Sequence, residues 1–303
     1  SDSTGSIRQP ASQCGVVGYQ APHGRIPNIG SSSFDGYSKA GPMTRTVADC
    51  ALMTNVMSGP DYRDHNSLNK MNPIILDDCD LSGIKIAFSL DLGCYEVSDD
   101  VAKETIEAIE ALRCAGALVE DVPVIWAKDL IDLALGAQEV LFADYLSEVV
   151  NKHPDLVSDY VPQLLETANS YSTDTYYKSL AAAGEVWRDH IGPIFQKYDA
   201  FITPTTTYTD IPATGWQKDT VTVNGKDFTD TETTMAVLWN MYSRCPVMAV
   251  PSGRSTSGVP TGIQIIGRPY DDPTVFKIAR AFENERPWLD CVERRPNLEI
   301  KEY

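Results

Sequence analysis

The stretch Ile84-Lys85-Ile86-Ala87-Phe88, followed by Ser98-Asp99-Asp100-Val101 and on to Gly116 and Leu118-Val119-Glu120-Asp121-Val122, decides the fold class. Ile84, Ile86 and Phe88 alternate with smaller or polar neighbours, as in a strand. Ser98 stands where a helix cap belongs. Val101, Thr105, Ile109 and Leu112 then recur at helical spacing, and Gly116 closes the helix. Strand, helix and second short strand make a βαβ-like unit, the building block of α/β folds. Upstream, Thr46 caps a helix with Asp49 three positions on. Val47, Ala51, Leu52 and Val56 mark its inward face, and Gly59-Pro60 stops it. Residues 1–45 are rich in Gly, Ser and Pro and read as loops and turns around short strands. Downstream, residues 127–198 read as mostly helical, with breaks at Pro154, Pro162 and Pro193. Strands are expected at 200–203, 247–250 and 262–266. Asp272-Pro273 opens a last helix through Phe282, with the Asp as cap and the Pro at the first helical position. Residues 209–231, polar and Thr-rich, read as an exposed loop or hairpin. The expectation is a single α/β domain with a mixed β-sheet core flanked by helices.

Composition narrows the function classes. The 303 residues carry 25 Lys+Arg against 42 Asp+Glu, a net charge of −17. With 43% hydrophobic and 22% charged residues, the chain has the mix of a soluble globular protein and too much apolar content to stay disordered. No apolar run approaches the ~20 residues of a bilayer span. The acidic balance disfavours nucleic acid, which requires clustered Lys and Arg. The seven cysteines, Cys14, Cys50, Cys79, Cys94, Cys114, Cys245 and Cys291, are odd in number and widely spaced. They argue against a disulfide framework or a zinc site and for a reducing compartment, the cytoplasm, with several buried as small apolar residues. No nucleotide-binding glycine motif, phosphate loop or His-Glu-x-x-His pair occurs. Gly253-Arg254-Ser255-Thr256-Ser257 departs from a nucleophile elbow at its last position. His23, His65, His153 and His190 stand in no recognisable triad setting.

The first ten residues, Ser1-Asp2-Ser3-Thr4-Gly5-Ser6-Ile7-Arg8-Gln9-Pro10, are unusually dense for a natural terminus. They suggest a piece of a longer protein. A tight turn of small residues can aim several backbone N–H groups into one space beside the Ser6 hydroxyl, an arrangement suited to a tetrahedral oxyanion. Asp2 and Arg8 can pair across the turn and hold it. From this segment alone, an ordinary Gly/Ser turn is the favoured reading.

Collinear blocks change that balance. The stretch from Asp2 to Ala11 resembles the signature of the amidase signature family. The resemblance continues through Cys14-Gly15-Val16-Val17-Gly18, Gly24-Arg25-Ile26, the block from Gly41-Pro42-Met43 to Asp49, and Ser58-Gly59-Pro60-Asp61. Farther on come Tyr198-Asp199-Ala200-Phe201-Ile202-Thr203-Pro204-Thr205, Cys245-Pro246-Val247-Met248-Ala249-Val250-Pro251 and Gly262-Ile263-Gln264-Ile265-Ile266-Gly267-Arg268-Pro269. The resemblance implies a Ser–cis-Ser–Lys hydrolase that cleaves small-molecule amides through an acyl-enzyme, without metal or cofactor, releasing ammonia or an amine. Ser6 matches the nucleophile, and the backbone N–H groups of Ser3, Thr4, Gly5 and Ser6 match the oxyanion hole. The family's Lys base and relaying Ser lie upstream of the nucleophile, in sequence outside this chain. Lys39, the nearest lysine, reads as a solvated loop residue. Thr4 stands where the family most often has Gly, and a β-branched residue is uncomfortable at positive φ.

One family member, the glutamine-hydrolysing component of aminoacyl-tRNA amidotransferases, grips its substrate's carboxylate with an Arg. Counting from Tyr176-Tyr177 reaches Gly184 at that place. Asp271 is a loose match to a family acid near the pocket. The leading reading is therefore an amidase acting on a small neutral, acyl or aryl amide. Its alternatives are the glutamine-hydrolysing component of an amidotransferase and a catalytically silent family member. A homodimer is compatible with the sequence.

Overall fold

The computed structural model describes residues 1–29, 35–76, 79–124, 128–211 and 220–289. The first half of the chain runs α1 (Arg8–Cys14), β1 (Val17–Gln20), β2 (Met43–Thr44), α2 (Val47–Met57), β3 (Lys85–Phe88), α3 (Asp99–Cys114) and β4 (Leu118–Asp121). Four helices follow: α4 (Lys128–Lys152), α5 (Val161–Ser170), α6 (Thr173–Val186) and α7 (Gly192–Lys197). The rest is β5 (Ala200–Pro204), the hairpin β6 (Val221–Val223) and β7 (Lys226–Phe228), α8 (Leu238–Met241), β8 (Val247–Arg254), β9 (Pro260–Gly267) and α9 (Asp272–Glu285).

Among the described residues, seven strands form one mixed sheet in the order β2-β1-β8-β9-β5-β3-β4. β3 pairs parallel with both β4 and β5, the product of the βαβ unit read from the sequence. β5–β9, β9–β8, β8–β1 and β1–β2 are antiparallel. Successive strand residues point to opposite faces, and here both faces are covered. Ile86, Phe88, Ile202, Met248 and Ile265 join one core with Ile109 and Leu112 of α3 and Phe276 and Phe282 of α9. Their neighbours Ala87, Phe201, Val247 and Ile266 join the other, with Leu130, Ile131 and Ala134 of α4 and Trp239 of α8. Each large apolar side chain among them contributes about 1.5–3 kcal/mol by leaving water. This double burial makes β5, β8 and β9 read as nearly continuous apolar runs.

Several local expectations are corrected. Residues 1–45 hold a helix, α1, because Pro10 falls in its first turn, where a missing N–H costs nothing. Thr46 does cap α2, accepting the N–H of Asp49 at 3.0 Å. The buried face of α2 is Val47, Cys50, Ala51 and Thr54, while Leu52 and Val56 are 64% and 75% exposed. Leu52 lies five residues beyond Val47, about 140° round the helix, and so cannot share its face. Ser98 precedes α3 without a side-chain cap bond. Pro193 does not break the helical run. A π turn over Trp187–Ile191 absorbs it, and α7 continues with the Pro in its first turn. The cap of α9 is Asp271, which accepts the N–H of Thr274. Asp272 is instead buried and accepts from Tyr19 and Arg25. Within 209–231 the described part forms the β6–β7 hairpin, turned by Asn224 and Gly225 at positive φ. Residues 212–219 and Cys291 lie outside the described residues. Cys50 and Cys245 are buried thiols, as small apolar residues would be. No helix among the described residues is long and apolar enough to cross a membrane.

Candidate active site

Asp2 folds the segment around itself. Its backbone pairs with Lys39, the N–H of each donating to the carbonyl of the other at 2.8 and 3.0 Å. Its Oδ1 accepts the N–H of Gly5 at 2.9 Å, and its Oδ2 accepts the N–H groups of Ile7 and Arg8 at 3.1 and 3.3 Å. A carboxylate taking three backbone donors from residues 5–8 imposes a tight bend just before α1. Gly5 completes it with φ +119°. A Cβ there would stand 2.8 Å from the Cβ of Ala236, so the position excludes every other residue. Thr4 is not at positive φ. The expected discomfort of a β-branched side chain is therefore absent: Gly5 takes the left-handed position.

Arg8, fully buried, locks this bend to the sheet. Nε donates to Asp2 Oδ2 and Nη2 to Asp2 Oδ1, both at 3.0 Å. Nη1 donates to the Ala236 carbonyl at 2.9 Å and to Gln264 Oε1 at 3.1 Å, and Nη2 to Asn240 Oδ1 at 2.6 Å. Gln20 and Asn240 each donate a side-chain N–H to Asp2 Oδ1 at 3.0 Å. Burial alone would raise the Asp2 carboxyl. The Arg8 charge and the donors of Arg8 and Asn240 outweigh it and hold the group far below the usual carboxylate range. Asp2 and Arg8 thus act as the frame of the bend. Asn240, Gln20 and Gln264 belong to the same frame and escape the sequence reading. Gln264, a lone amide inside the apolar run 263–266, is the one with a visible signal.

Lys39 is a second correction. It is 3% exposed, not solvated, and its Nζ donates to the Trp239 carbonyl at 3.4 Å. Burial, with the Arg8 charge, lowers its ammonium to about 7 despite the nearby Asp2. The unfolded chain keeps this lysine protonated up to an ordinary value near 10.4, so between pH 7 and that value the unfolded state binds more protons. Lys39 therefore makes stability rise with pH over that window. Comparing urea unfolding of wild type and Lys39→Met at pH 7.0 and 8.5, the wild type gains relative to the variant by about 1 kcal/mol per pH unit. Parallel curves for the two proteins would show that Lys39 carries a normal charge in the fold.

Ser6 lies outside this frame. It is exposed at the end of the bend, and with Ser3 and Thr4 it lines a cavity of about 390 Å³. Leu135, Phe142 and Leu146 of α4 and Leu164 of α5 supply an apolar lining. No Lys or Arg lines it among the described residues. The Ser3 hydroxyl is held by Ser38 Oγ at 2.7 Å, and Ser38 is in turn bonded to Asp35. Of the four expected oxyanion donors, Gly5 differs: its N–H is given to Asp2, and Gly5 does not line the cavity. Gly184 lines a separate cavity with Trp187, Tyr242 and Cys245, and Asp271 is spent on capping α9. Neither lines the cavity beside Ser6. The lack of a carboxylate anchor rests instead on the cavity's own lining.

Known proteins resemble this chain over nearly its whole length. An acylamidase of Rhodococcus erythropolis is 30% identical over 301 residues, which cover 96% of this chain and 61% of that protein. The A component of a glutamyl-tRNA(Gln) amidotransferase of Staphylococcus saprophyticus is 30% identical over 311 residues, 94% of this chain and 62% of that protein. The chain thus spans about three-fifths of the length of these relatives. Among solved structures, a bacterial aryl acylamidase of the amidase signature enzymes superposes with a TM-score of 0.83 at 25% identity, covering 94% of this chain and 61% of that one. The Amidase family model matches residues 1–276. With the Asp2–Ala11 segment folded as a framed bend beside a cavity, and with the family model matching residues 1–276, this chain belongs to the amidase signature family.

Proposed function

We propose that the chain carries the nucleophile and acyl pocket of a hydrolase acting on carbon–nitrogen bonds of small-molecule amides. Ser6 Oγ attacks the amide carbonyl, and the carbonyl oxygen takes negative charge while the backbone N–H groups of Ser3, Thr4 and Ser6 receive it. The C–N bond then breaks, ammonia or an amine leaves with a proton, and an acyl ester on Ser6 remains for water to cleave. A serine hydroxyl needs a base for the first step. In the family, a Lys acting through a second Ser, both upstream of the nucleophile, fills that role as a Ser–Ser–Lys triad. The observation that carries the proposal is the exposed Ser6 beside a 390 Å³ cavity, at the end of a bend that buried Asp2 and Arg8 hold rigid. The acylamidase relatives support the same reaction class.

The glutamine-hydrolysing component of an amidotransferase is the second reading, favoured by the Staphylococcus relative. The cavity opposes it: free glutamine brings a carboxylate, and no cationic side chain among the described residues lines the pocket to receive one. The cytoplasm as its location rests on the odd, widely spaced cysteines. Hydroxylamine tests the covalent route. Added to the full-length enzyme with a turned-over amide, it intercepts the acyl ester and gives hydroxamate at the expense of acid. Undiminished acid with no hydroxamate would point to direct attack by water and retire the acyl-enzyme.

A further inference from the structure

The same cavity carries polar groups that the hydrolytic chemistry does not use. Leu135, Gln138, Glu139, Phe142 and Leu146 recur at helical spacing and form one face of α4, all lining the space beside Ser6. Gln138 is 2% exposed, and neither its Oε1 nor its Nε2 has a hydrogen-bond partner. Glu139 Oε2 is likewise buried and unpartnered. Leaving such groups unmatched costs about 1–3 kcal/mol apiece. Leu135, Phe142 and Leu146 offer them nothing, and the polar residues that share the lining, Gln9, Tyr160 and Thr234 among them, make no bond to these three atoms. The cavity is of a size that takes small molecules. Two of the three free atoms are acceptors. Among the described residues, Glu139 is the one acidic side chain lining the cavity, with no Lys or Arg beside it.

We propose that this pocket selects an acyl group with an apolar body and a terminal ammonium, whose N–H groups donate to Gln138 Oε1 and Glu139 Oε2 while the body packs on Leu135, Phe142 and Leu146. The charge of −17 adds a long-range bias toward cations. Burial raises the Glu139 carboxyl to about 7, as expected of an acid with no cation beside it, and a ligand ammonium reverses that. Gln138 and Glu139 are thus specificity residues. The inference rests on Ser6 being the attacking group, since that places the acyl half of the substrate in this cavity.

The test is calorimetric binding to the full-length protein carrying Ser6→Ala, at pH 8, with straight-chain primary amides of equal length ending in ammonium, methyl, carboxamide or carboxylate. The ammonium-ended amide binds about tenfold or more tighter than the methyl-ended one, and the carboxylate-ended amide binds weakest. Glu139→Gln, isosteric and uncharged, reduces the ammonium-to-methyl ratio about tenfold, and Gln138→Leu reduces it as well. Equal or tighter binding of the methyl-ended or carboxamide-ended amide overturns the proposal, as does a ratio unmoved by Glu139→Gln. The nucleophile assignment is judged separately. Turnover of the ammonium-ended amide by the Ser6→Ala protein would remove that assignment while leaving the binding order to stand or fall by itself.

Discussion

Ser6→Ala in the full-length protein abolishes amide hydrolysis, with kcat falling roughly 10⁴- to 10⁶-fold. The size of the loss follows from covalent chemistry: without the Ser6 oxygen, no acyl ester forms at the end of the bend. Ser3, its neighbour on the cavity wall, has its oxygen bonded to Ser38 and does not substitute for it. The fold survives because Ser6 takes no part in the frame. The bend is held by the backbone N–H groups of Gly5, Ile7 and Arg8 on Asp2, and by Arg8 on Asn240, Gln264 and Ala236. Removing one exposed hydroxyl changes stability by about 0.5 kcal/mol at most. Steady-state hydrolysis of an aryl amide and a urea melt, run on the same preparation, check both halves. If the Ala protein keeps even a tenth of its turnover while melting normally, Ser6 is not the nucleophile and the attacking group lies elsewhere.

What the sequence discloses and what it hides divide along a physical line. The βαβ unit over 84–122 is legible because strand and helix periods are local properties, and β3, α3 and β4 fold as that pattern dictates. The strands β5, β8 and β9 are legible in position but not in order, since the pairing of β1 with β8 joins residues more than 200 apart. The frame of the bend is half legible. Asp2 and Arg8 lie six residues apart and oppose in charge, whereas Asn240 and Gln264 reach them only through the fold. Lys39 misleads because a lysine in a Gly/Ser-rich stretch is ordinarily solvated, whereas here its backbone pairs with Asp2 and its Nζ donates to the Trp239 carbonyl inside the fold. Gln138 and Glu139 are invisible for the opposite reason. In a helix of mixed polarity, nothing local distinguishes residues that face a cavity from those that face water.

Arg8→Met destabilises the protein by about 3–5 kcal/mol, a large part of the 5–15 kcal/mol that a folded domain has in total. The cost does not arise from losing a favourable pair alone. It arises because the Asp2 carboxylate, 0% exposed, is left charged in the interior with its main cation gone, while the Asn240, Gln264 and Ala236 oxygens lose their donor. Arg8→Lys does not restore it: one ammonium cannot reach Asp2, Asn240, Gln264 and Ala236 from a single position, as the planar guanidinium does. The double variant Asp2→Asn, Arg8→Met recovers part of the loss, because neither partner of the buried pair then carries a charge. The pH dependence follows from the depressed Asp2 carboxyl. Its contribution is complete above the unfolded value near 3.9 and is lost as pH falls through the folded value, so wild type and Arg8→Met converge in stability only in strong acid. Urea midpoints for the four proteins at pH 7, with wild type and Arg8→Met repeated at pH 3, measure this. A single variant Arg8→Met within 1 kcal/mol of wild type at pH 7 would mean that the bend holds without its cation, and that Asp2 is stabilised by backbone and amide donors alone.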